Sequence, residues 1–206
     1  MSAIQGTQAW LAERAGFCTA SRASAVLATI KSGEAATRRN YRAQLVAERL
    51  TGAPAESFKS AEMQWGNDTE PAGRMAYEAR TGAMVEEQGF IKHPTLPWTG
   101  CSPDGFIGAD GMVEIKCPNT ATHIDALLGK GVPAEHIPQI QFQMWVCGRQ
   151  WVDFVSFDPR MPERLQLFVS RVARNDVYIA GLEAEVVKFL AAVAVTVREL
   201  EALANG

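Results

Sequence analysis

The period of the hydrophobic pattern changes near Gly89, and this change constrains the fold more than any other feature of the sequence. Before Gly89, apolar residues recur at helical spacing in segments 7–13, 21–30, 37–50 and 63–82. From Gly89 onward they fall in short segments rich in β-branched and aromatic residues, namely GFIKH, WTGCS, GMVEIKCP, WVDFVSFD and LQLFVSRVA. Helical spacing returns at 120–128, 134–146 and 176–204. Helices therefore cover the strands, which predicts an α/β fold with a mixed central β-sheet flanked by helices.

The length of 206 residues and the hydrophobic content of 47% are sufficient for one sizeable core. We predict a single domain over residues 1–206. The formal net charge of −3 excludes a chain that is basic overall, so any DNA-binding surface has to be local. Arg38, Arg39 and Arg42 form a basic cluster, which is either part of such a surface or an ordinary solvated helix face.

The features that bear on localisation favour the cytoplasm. The N-terminal residues lack the basic start and unbroken apolar run of a signal peptide. The stretch from Phe189 to Val197 is too short to cross a bilayer and is typical of a core helix.

The four cysteines lie far apart without metal-binding spacing, so we expect a reduced protein without structural zinc. His93, His123 and His136 also lack such spacing, and we assign none of them to catalysis.

Two helix starts are predicted from capping rules. Ser21 is suited to cap the helix over 21–30, which places Arg22 in its first turn. Pro71 would break a helix interior, but it falls in the first turn if Asp68 is the cap. Glu70 then lies at the start of that helix.

A hairpin is predicted at Asp110-Gly111, between two strand-like segments. It pairs the segment that carries Asp104 with the segment that carries Glu114 and Lys116. Because side chains alternate along a strand, Glu114 and Lys116 project from the same face. Taken alone, these two residues would fit a solvated strand face, and Asp104 would fit an ordinary turn in Ser-Pro-Asp-Gly.

Taken together, Asp104, Glu114 and Lys116 fit the hydrolysis of a phosphodiester. Two carboxylates supply the hard oxygen ligands that Mg²⁺ prefers. A divalent metal activates water and offsets the charge that builds on the phosphoryl group. A lysine beside them can position the attacking water and favour its ionised form.

These residues also carry a family resemblance. Ser-Pro-Asp-Gly followed by Val-Glu-Ile-Lys-Cys-Pro resembles the P-D…(D/E)-x-K nuclease signature, and more narrowly the family of phage lambda exonuclease and the YqaJ-type viral recombinases. Four further motifs occur in the order that this family shows, namely T-A-S-R at 19–22, W-G-x-x-x-E at 65–70, Q-I-Q-F-Q-M-W at 139–145 and D-P-R-M at 158–161.

The resemblance implies a 5′-to-3′ exonuclease that degrades one strand of double-stranded DNA in phage-type recombination. It implies a ring-shaped homotrimer that acts on duplex ends together with a single-strand annealing protein. It also implies two Mg²⁺ ions per active site, with Mn²⁺ as a substitute.

The resemblance further implies a role for individual residues. Asp104, Glu114 and the backbone carbonyl of Ile115 resemble the metal ligands, and Lys116 resembles the catalytic lysine. Glu70 matches a helix carboxylate near the second metal, although Pro71 directly after it departs from the pattern. The remaining matches are Gln139 for an active-site glutamine, with Gln143 one turn away, and Arg22 for the arginine that holds a 5′ phosphate. Ser102 can add a hydroxyl contact to that phosphate.

Three other functions are compatible with parts of the sequence. A sequence-specific or structure-specific DNA endonuclease of the same superfamily would use the same catalytic core. A non-catalytic DNA-binding or annealing module would use the carboxylates only as turn caps. A small-molecule α/β enzyme is disfavoured, because the chain has no glycine-rich nucleotide loop between a strand and a helix.

Overall fold

The structure, a computed structural model, describes residues 3–55 and 60–205. The helices are α1 (Gln8–Arg14), α2 (Ala23–Val26), α3 (Ala36–Thr51), α4 (Ala61–Thr81), α5 (Thr120–Asp125), α6 (Ile137–Cys147) and α7 (Asp176–Ala204). The strands are β1 (Cys18–Thr19), β2 (Ile91–Lys92), β3 (Thr99–Cys101), β4 (Gly105–Ile107), β5 (Gly111–Lys116), β6 (Trp151–Phe157) and β7 (Leu167–Ala173). The change of period near Gly89 thus separates a helical first part from the part that contains most strands.

The strands form two sheets. The larger one has the order β4-β5-β6-β7, in which β5 and β6 are parallel and the other two pairs are antiparallel. The smaller one has the order β1-β3-β2 and is also mixed. The predicted α/β fold with mixed sheet and flanking helices is confirmed, with the difference that the strands divide between two sheets.

The predicted hairpin is confirmed as the β4–β5 pair. Gly105 lies opposite Val113, and Ile107 lies opposite Gly111. The turn between the strands therefore includes Asp110, as the Asp-Gly signal predicted. This pairing holds the segment just before β4 beside the second half of β5.

Helices cover both faces of the four-stranded sheet. On the α4 side, the buried cluster consists of Tyr77, Val113, Ile115, Val155, Phe157 and Leu167. On the α6 side, it consists of Met112, Ile140, Met144, Val152 and Phe154. The face that carries Glu114 is therefore covered by α6 rather than solvated. A third cluster, formed largely by α2, α3, α6 and α7, packs on the far side of α6.

Two of the predicted helix starts are wrong. Ser21 does not cap α2: it lies in a 3-10 turn, Ala20–Arg22, and Arg22 itself precedes α2 without a side-chain cap. The helix ends at Val26, and residues 27–35 connect it to α3. Asp68 does not cap α4 either, since the cap lies eight residues earlier at Ser60, whose Oγ accepts a hydrogen bond from the backbone N–H of Met63 at 3.2 Å.

Pro71 consequently lies inside α4 rather than in its first turn. Its ring removes one backbone donor, which would have bonded to the carbonyl of Asn67. Both residues lie on the exposed side of the helix, where water can satisfy that carbonyl. The helix therefore continues through Pro71, and Glu70 lies in its middle.

Gly73 allows α4 to lie close to the sheet. A Cβ atom at this position would be 3.1 Å from Cγ2 of Ile115 and 3.2 Å from Cβ of Phe157. Gly66, in the same helix, has no atom within 4 Å of the corresponding Cβ position. The two glycines therefore differ in packing but share a helix.

The two positions provide a matched test of that packing. We expect Gly66→Ala to raise the free energy of unfolding by about 0.5–1 kcal/mol, because alanine has the higher helix propensity. Gly73→Ala gains the same propensity but presses a methyl group against two buried side chains, so we expect it to be about 1–3 kcal/mol less stable than the Gly66→Ala protein. Urea unfolding measures the difference. Equal stabilities would show that α4 can move away from the sheet at no cost.

No helix in the described part of the chain is long and apolar enough to span a membrane. The stretch from Phe189 to Val197 lies within α7, where Phe189 and Val193 belong to the core, as predicted. The sulfur atoms of Cys101 and Cys147 lie 3.4 Å apart, which brings β3 into contact with the end of α6.

Candidate active site

Glu114 lies at the centre of the site, with only 1% of its surface exposed. Its Oε1 accepts a hydrogen bond from Nε2 of Gln139 at 2.5 Å, and its Oε2 accepts one from Nε2 of Gln143 at 2.7 Å. The two glutamines are one helical turn apart on α6, so both amides face the same carboxylate. The side chain of Glu114 is therefore fixed before any substrate arrives.

Lys116 lies two residues along β5 and forms an ion pair with Glu114 through its Nζ atom. Burial lowers the pKa of Lys116, but the negative charges of Glu114, Asp104 and Glu70 outweigh burial and raise it above its usual value. The lysine thus remains a cation over the whole physiological pH range. Its side chain is about one-third exposed, so it can reach a bound substrate.

Asp104 lies in the turn before β4, and its Oδ2 accepts a hydrogen bond from the backbone N–H of Ile115 at 2.6 Å. Burial raises the pKa of Asp104 well above its usual range, and the nearby charges of Glu114 and Glu70 raise it further. The hairpin therefore brings together Asp104, Glu114 and Lys116, the three residues that the sequence pattern combined.

Glu70 approaches from α4, on the opposite side of the sheet, and is half-buried. Burial raises its pKa, as does the charge of Glu114, while Lys116 and Arg74 lower it. Glu70 therefore lies within electrostatic range of Glu114 and Lys116, despite Pro71.

The residues present fit a divalent cation in their chemistry. Asp104, Glu114 and Glu70 are carboxylates that repel one another and are partly withdrawn from water, which is the condition that a bound Mg²⁺ relieves. Across residues 3–55 and 60–205, no three side chains of His, Cys, Asp or Glu are already drawn together as a coordination set. In this arrangement Lys116, Gln139 and Gln143 occupy the oxygens of Glu114, so a metal would replace part of these contacts.

The two residues predicted to bind a 5′ phosphate lie in neighbouring parts of the surface. Arg22 is exposed, with its guanidinium 4.7 Å from the ring of Tyr41, and lines an open cavity of about 510 Å³. The Oγ of Ser102 accepts a hydrogen bond from Nε1 of Trp10 at 2.9 Å. No contact between Arg22 and Ser102 is found in the described part of the chain.

A comparison with protein families covers the part of the chain that contains the candidate site. A family model described as the YqaJ-like viral recombinase domain matches residues 9–150, a range that includes every residue predicted to be catalytic. The chain belongs to the YqaJ-like viral recombinase family. The resemblance drawn from the P-D…(D/E)-x-K motif and the four ordered motifs is thereby confirmed.

Solved structures support the same family. Two structures of LHK-Exo, an alkaline exonuclease from Laribacter hongkongensis, are 44% identical to this chain over 97% of its length and 98% of theirs. Their TM-scores are 0.90 for the complex with dAMP and 0.89 for the other structure. A phage-related exonuclease from Haemophilus somnus is 15% identical over 89% of this chain and 96% of its own, with a TM-score of 0.72, which shows the fold alone. A search of curated proteins gives no match.

In this member of the family, sequence reasoning overlooked Arg14. Its guanidinium stacks over the ring of Trp10 at 4.1 Å and donates to Oγ of Ser21 at 3.2 Å. Burial lowers the pKa of Arg14, and the positive charge of Arg22 lowers it further, so the two arginines lie within electrostatic range. Arg14 thus connects Ser102, through Trp10, to the region of Arg22. The spacing of Trp10 and Arg14 on one helix face was the signal available in the sequence.

The D-P-R-M motif combines a buried carboxylate, Asp158, with an exposed guanidinium, Arg160. Burial alone would raise the pKa of Asp158, but hydrogen bonds from Arg160 and Thr120 lower it to about 2. Arg160 also donates to the carbonyl of Pro118 at 3.0 Å and lies 4.7 Å from the ring of Trp65. It therefore connects the end of β6 with the end of β5 and with α4, which carries Glu70.

The raised pKa of Asp104 has a consequence for stability. A carboxyl whose pKa is higher in the folded than in the unfolded chain destabilises the fold once the pH exceeds the unfolded value of about 4. We therefore expect Asp104→Asn to raise the free energy of unfolding in EDTA near neutral pH by about 1–2 kcal/mol, because the amide keeps the bond from Ile115 and carries no charge. Thermal unfolding as a function of pH measures this difference, which should disappear below about pH 4. A variant less stable than wild type near neutral pH would contradict it.

Proposed function

We propose that the protein is a Mg²⁺-dependent 5′-to-3′ exonuclease that degrades one strand of double-stranded DNA in phage-type homologous recombination. The observation that carries this proposal is the convergence of Asp104, Glu114 and Lys116 beside two glutamines, in a chain whose 44% identical relative is an alkaline exonuclease. The solved relative has also been captured with dAMP, a deoxynucleoside monophosphate of the kind that stepwise removal of nucleotides from DNA can release.

Asp104, Glu114 and the backbone carbonyl of Ile115 would hold Mg²⁺, with Glu70 contributing to a second ion. Bound there, Mg²⁺ or Mn²⁺ supplies Lewis acidity toward the phosphate and lowers the pKa of water. The other contributions to the reaction come from the side chains of this chain. Asp104 and Glu114 are well suited to bind a metal ion, because hydrogen bonds from Ile115, Gln139 and Gln143 fix their orientation.

Lys116 remains protonated and points to the same region as Glu114. It orients the attacking water and stabilises the negative charge that develops in the transition state. Gln139 and Gln143 orient the carboxylate of Glu114, and the contacts that remain when Mg²⁺ is bound would hold this carboxylate toward the ion. Gln139 is half-buried, so its amide can also contact the substrate, whereas Gln143 is fully buried and acts only through Glu114.

We propose that Arg22 and Ser102 recognise a 5′ phosphate together with Arg14. Arg14 and Arg22 are two cations on either side of Ser21, and two such guanidiniums can hold the oxygens of one terminal phosphate. Binding the phosphate at a strand end would direct the catalytic cluster to the bond near that end. Binding of the terminal phosphate is what distinguishes an exonuclease from an endonuclease with the same catalytic core.

The assembly is part of the proposal. We propose that the protein forms a ring-shaped homotrimer on duplex ends and works with a single-strand annealing protein, because the chain belongs to a family of viral recombinases. Light scattering of the purified protein, with and without duplex DNA, measures the number of subunits. A monomer under both conditions would remove the ring from the proposal.

The proposed activity is tested with end-labelled duplex DNA. A linear duplex labelled at either the 5′ or the 3′ end, and a closed circle of the same sequence, are incubated with the protein in Mg²⁺ or in EDTA. We expect early release of the 5′ label as mononucleotide, no digestion of the circle, and no release in EDTA. Cutting of the circle would identify an endonuclease, and no release in Mg²⁺ or Mn²⁺ would indicate a non-catalytic DNA-binding module.

A further inference from the structure

His136 lies at the edge of the catalytic cluster, although its sequence spacing indicated no role. It precedes α6, and its imidazole stacks on the ring of Phe154 with 5.3 Å between the ring centroids. Phe154 lies directly opposite Glu114 in the parallel pairing of β5 and β6. Residues paired across adjacent strands project from the same face of a sheet. The imidazole therefore lies on the α6 side, next to the carboxylate of Glu114.

The imidazole of His136 differs in its hydrogen bonds from the imidazoles of His93 and His123. His123 is fully buried, and its two ring nitrogens bond to Oγ of Ser156 and to the carbonyl of Leu165. His93 uses Nδ1 to accept hydrogen bonds from the backbone N–H groups of Thr95 and Leu96. Within residues 3–55 and 60–205, neither ring nitrogen of His136 has a hydrogen-bond partner, and the residue is only partly buried. Its polar atoms are thus available to a ligand at the site.

The ring of His136 carries an N–H donor whether it is neutral or protonated. Burial lowers its pKa, and the positive charge of Lys116 lowers it further, against the opposing effects of Glu114 and Glu135. A neutral imidazole has one N–H donor and one acceptor nitrogen. Protonation adds a second donor, so the ring can donate to an anion in either state.

We propose that His136 is a further catalytic residue, whose ring N–H donates a hydrogen bond to a nonbridging oxygen of the reacting phosphate. The role of His136 rests on the proposed nuclease function and adds a further residue to its mechanism. The position of His136 over Phe154 sets the imidazole beside the carboxylate that would hold Mg²⁺, and thus beside the phosphate. A donor in such a place stabilises charge that grows in the transition state, so its effect falls on kcat rather than on KM.

The decisive variant is His136→Phe, which keeps an aromatic ring to stack on Phe154 and removes both ring nitrogens. We expect its kcat on linear duplex in Mg²⁺ to fall about 10- to 30-fold, with KM within about threefold of wild type. His136→Gln restores a donor, and we expect it to recover part of the loss. The thermal unfolding midpoint of His136→Phe should match that of wild type.

A control is His93→Phe, because His93 is also half-buried and contacts an aromatic ring, that of Trp145, in a tilted arrangement with 4.5 Å between the ring centroids. We expect this variant to keep the kcat of wild type. Unchanged kcat for His136→Phe, in a preparation whose wild type digests duplex DNA with Mg²⁺, would overturn the role of His136 and leave the proposed function intact. Equal losses in His136→Phe and His136→Gln, or a rise in KM alone, would also overturn it. A wild type that digests no DNA would instead overturn the proposed function, and the role of His136 with it.

Discussion

Lys116→Ala is expected to lower kcat on duplex DNA by about 10³-fold, which corresponds to about 4 kcal/mol of lost transition-state stabilisation. The reason is that Lys116 is a permanent cation held against Glu114, in a partly buried site where its charge is weakly screened. Removing it leaves the metal ligands in place but deprives the reacting water and phosphate of that charge. Single-turnover digestion of 5′-labelled duplex in saturating Mg²⁺ measures the loss.

Lys116→Ala is also expected to lower the stability of the fold. Without Lys116, the buried carboxylate of Glu114 loses its ion pair, so we expect a lower unfolding midpoint in EDTA that Mg²⁺ partly restores. Lys116→Arg keeps the charge and controls for that effect, and Lys188→Ala, on the exposed side of α7, controls for loss of a surface lysine. Digestion by the folded Lys116→Ala protein at the wild-type rate would remove Lys116 from the mechanism.

Arg14→Ala is expected to slow digestion of 5′-phosphorylated ends by about 10²-fold, and Arg22→Ala by about 10-fold, because each removes charge-assisted hydrogen bonds to the terminal phosphate. Both changes should slow digestion of 5′-hydroxyl ends less than about threefold, since those ends carry no phosphate to hold. The larger effect is assigned to Arg14, because its stacking on Trp10 connects it to Ser102 and its guanidinium already bonds to Ser21. Initial rates on duplexes that differ only in the 5′ phosphate measure the effect.

A suitable control for the arginine variants is Arg198→Ala. Arg198 is an exposed residue of α7. We expect the Arg198→Ala protein to digest 5′-phosphorylated and 5′-hydroxyl ends at the wild-type rate. Equal slowing of phosphorylated and hydroxyl ends by Arg14→Ala and Arg22→Ala would contradict the assignment, since it would indicate general binding of the DNA backbone.

Much of the candidate site could be predicted from the sequence, because its central residues are related by local rules. The turn signal at Asp110-Gly111 and the alternation of side chains along β5 determine that Asp104 lies near Ile115 and that Glu114 and Lys116 share a face. Helical spacing determines that Gln139 and Gln143 share a side of α6. These relations extend over a few residues, where turn geometry and side-chain period leave few alternatives.

The predicted helix starts failed for the opposite reason. Capping rules assigned Pro71 to a first turn, yet α4 begins at Ala61 and continues through Pro71 on its exposed side. The close approach of Gly73 to Ile115 and Phe157 shows that α4 packs tightly on the sheet. Tertiary packing of this kind outweighs the cost of one missing backbone hydrogen bond.

The sequence by itself thus determined the fold class, the family and the β-hairpin that brings Asp104 to Glu114 and Lys116. The family resemblance already indicated Glu70, but only the tertiary structure decided that this residue lies in the middle of α4, that Arg14 bonds to Ser21, and that His136 stacks on Phe154. The physical reason is that local periodicity specifies which face of an element is apolar, whereas the partner of each polar side chain depends on how whole helices pack against the sheets.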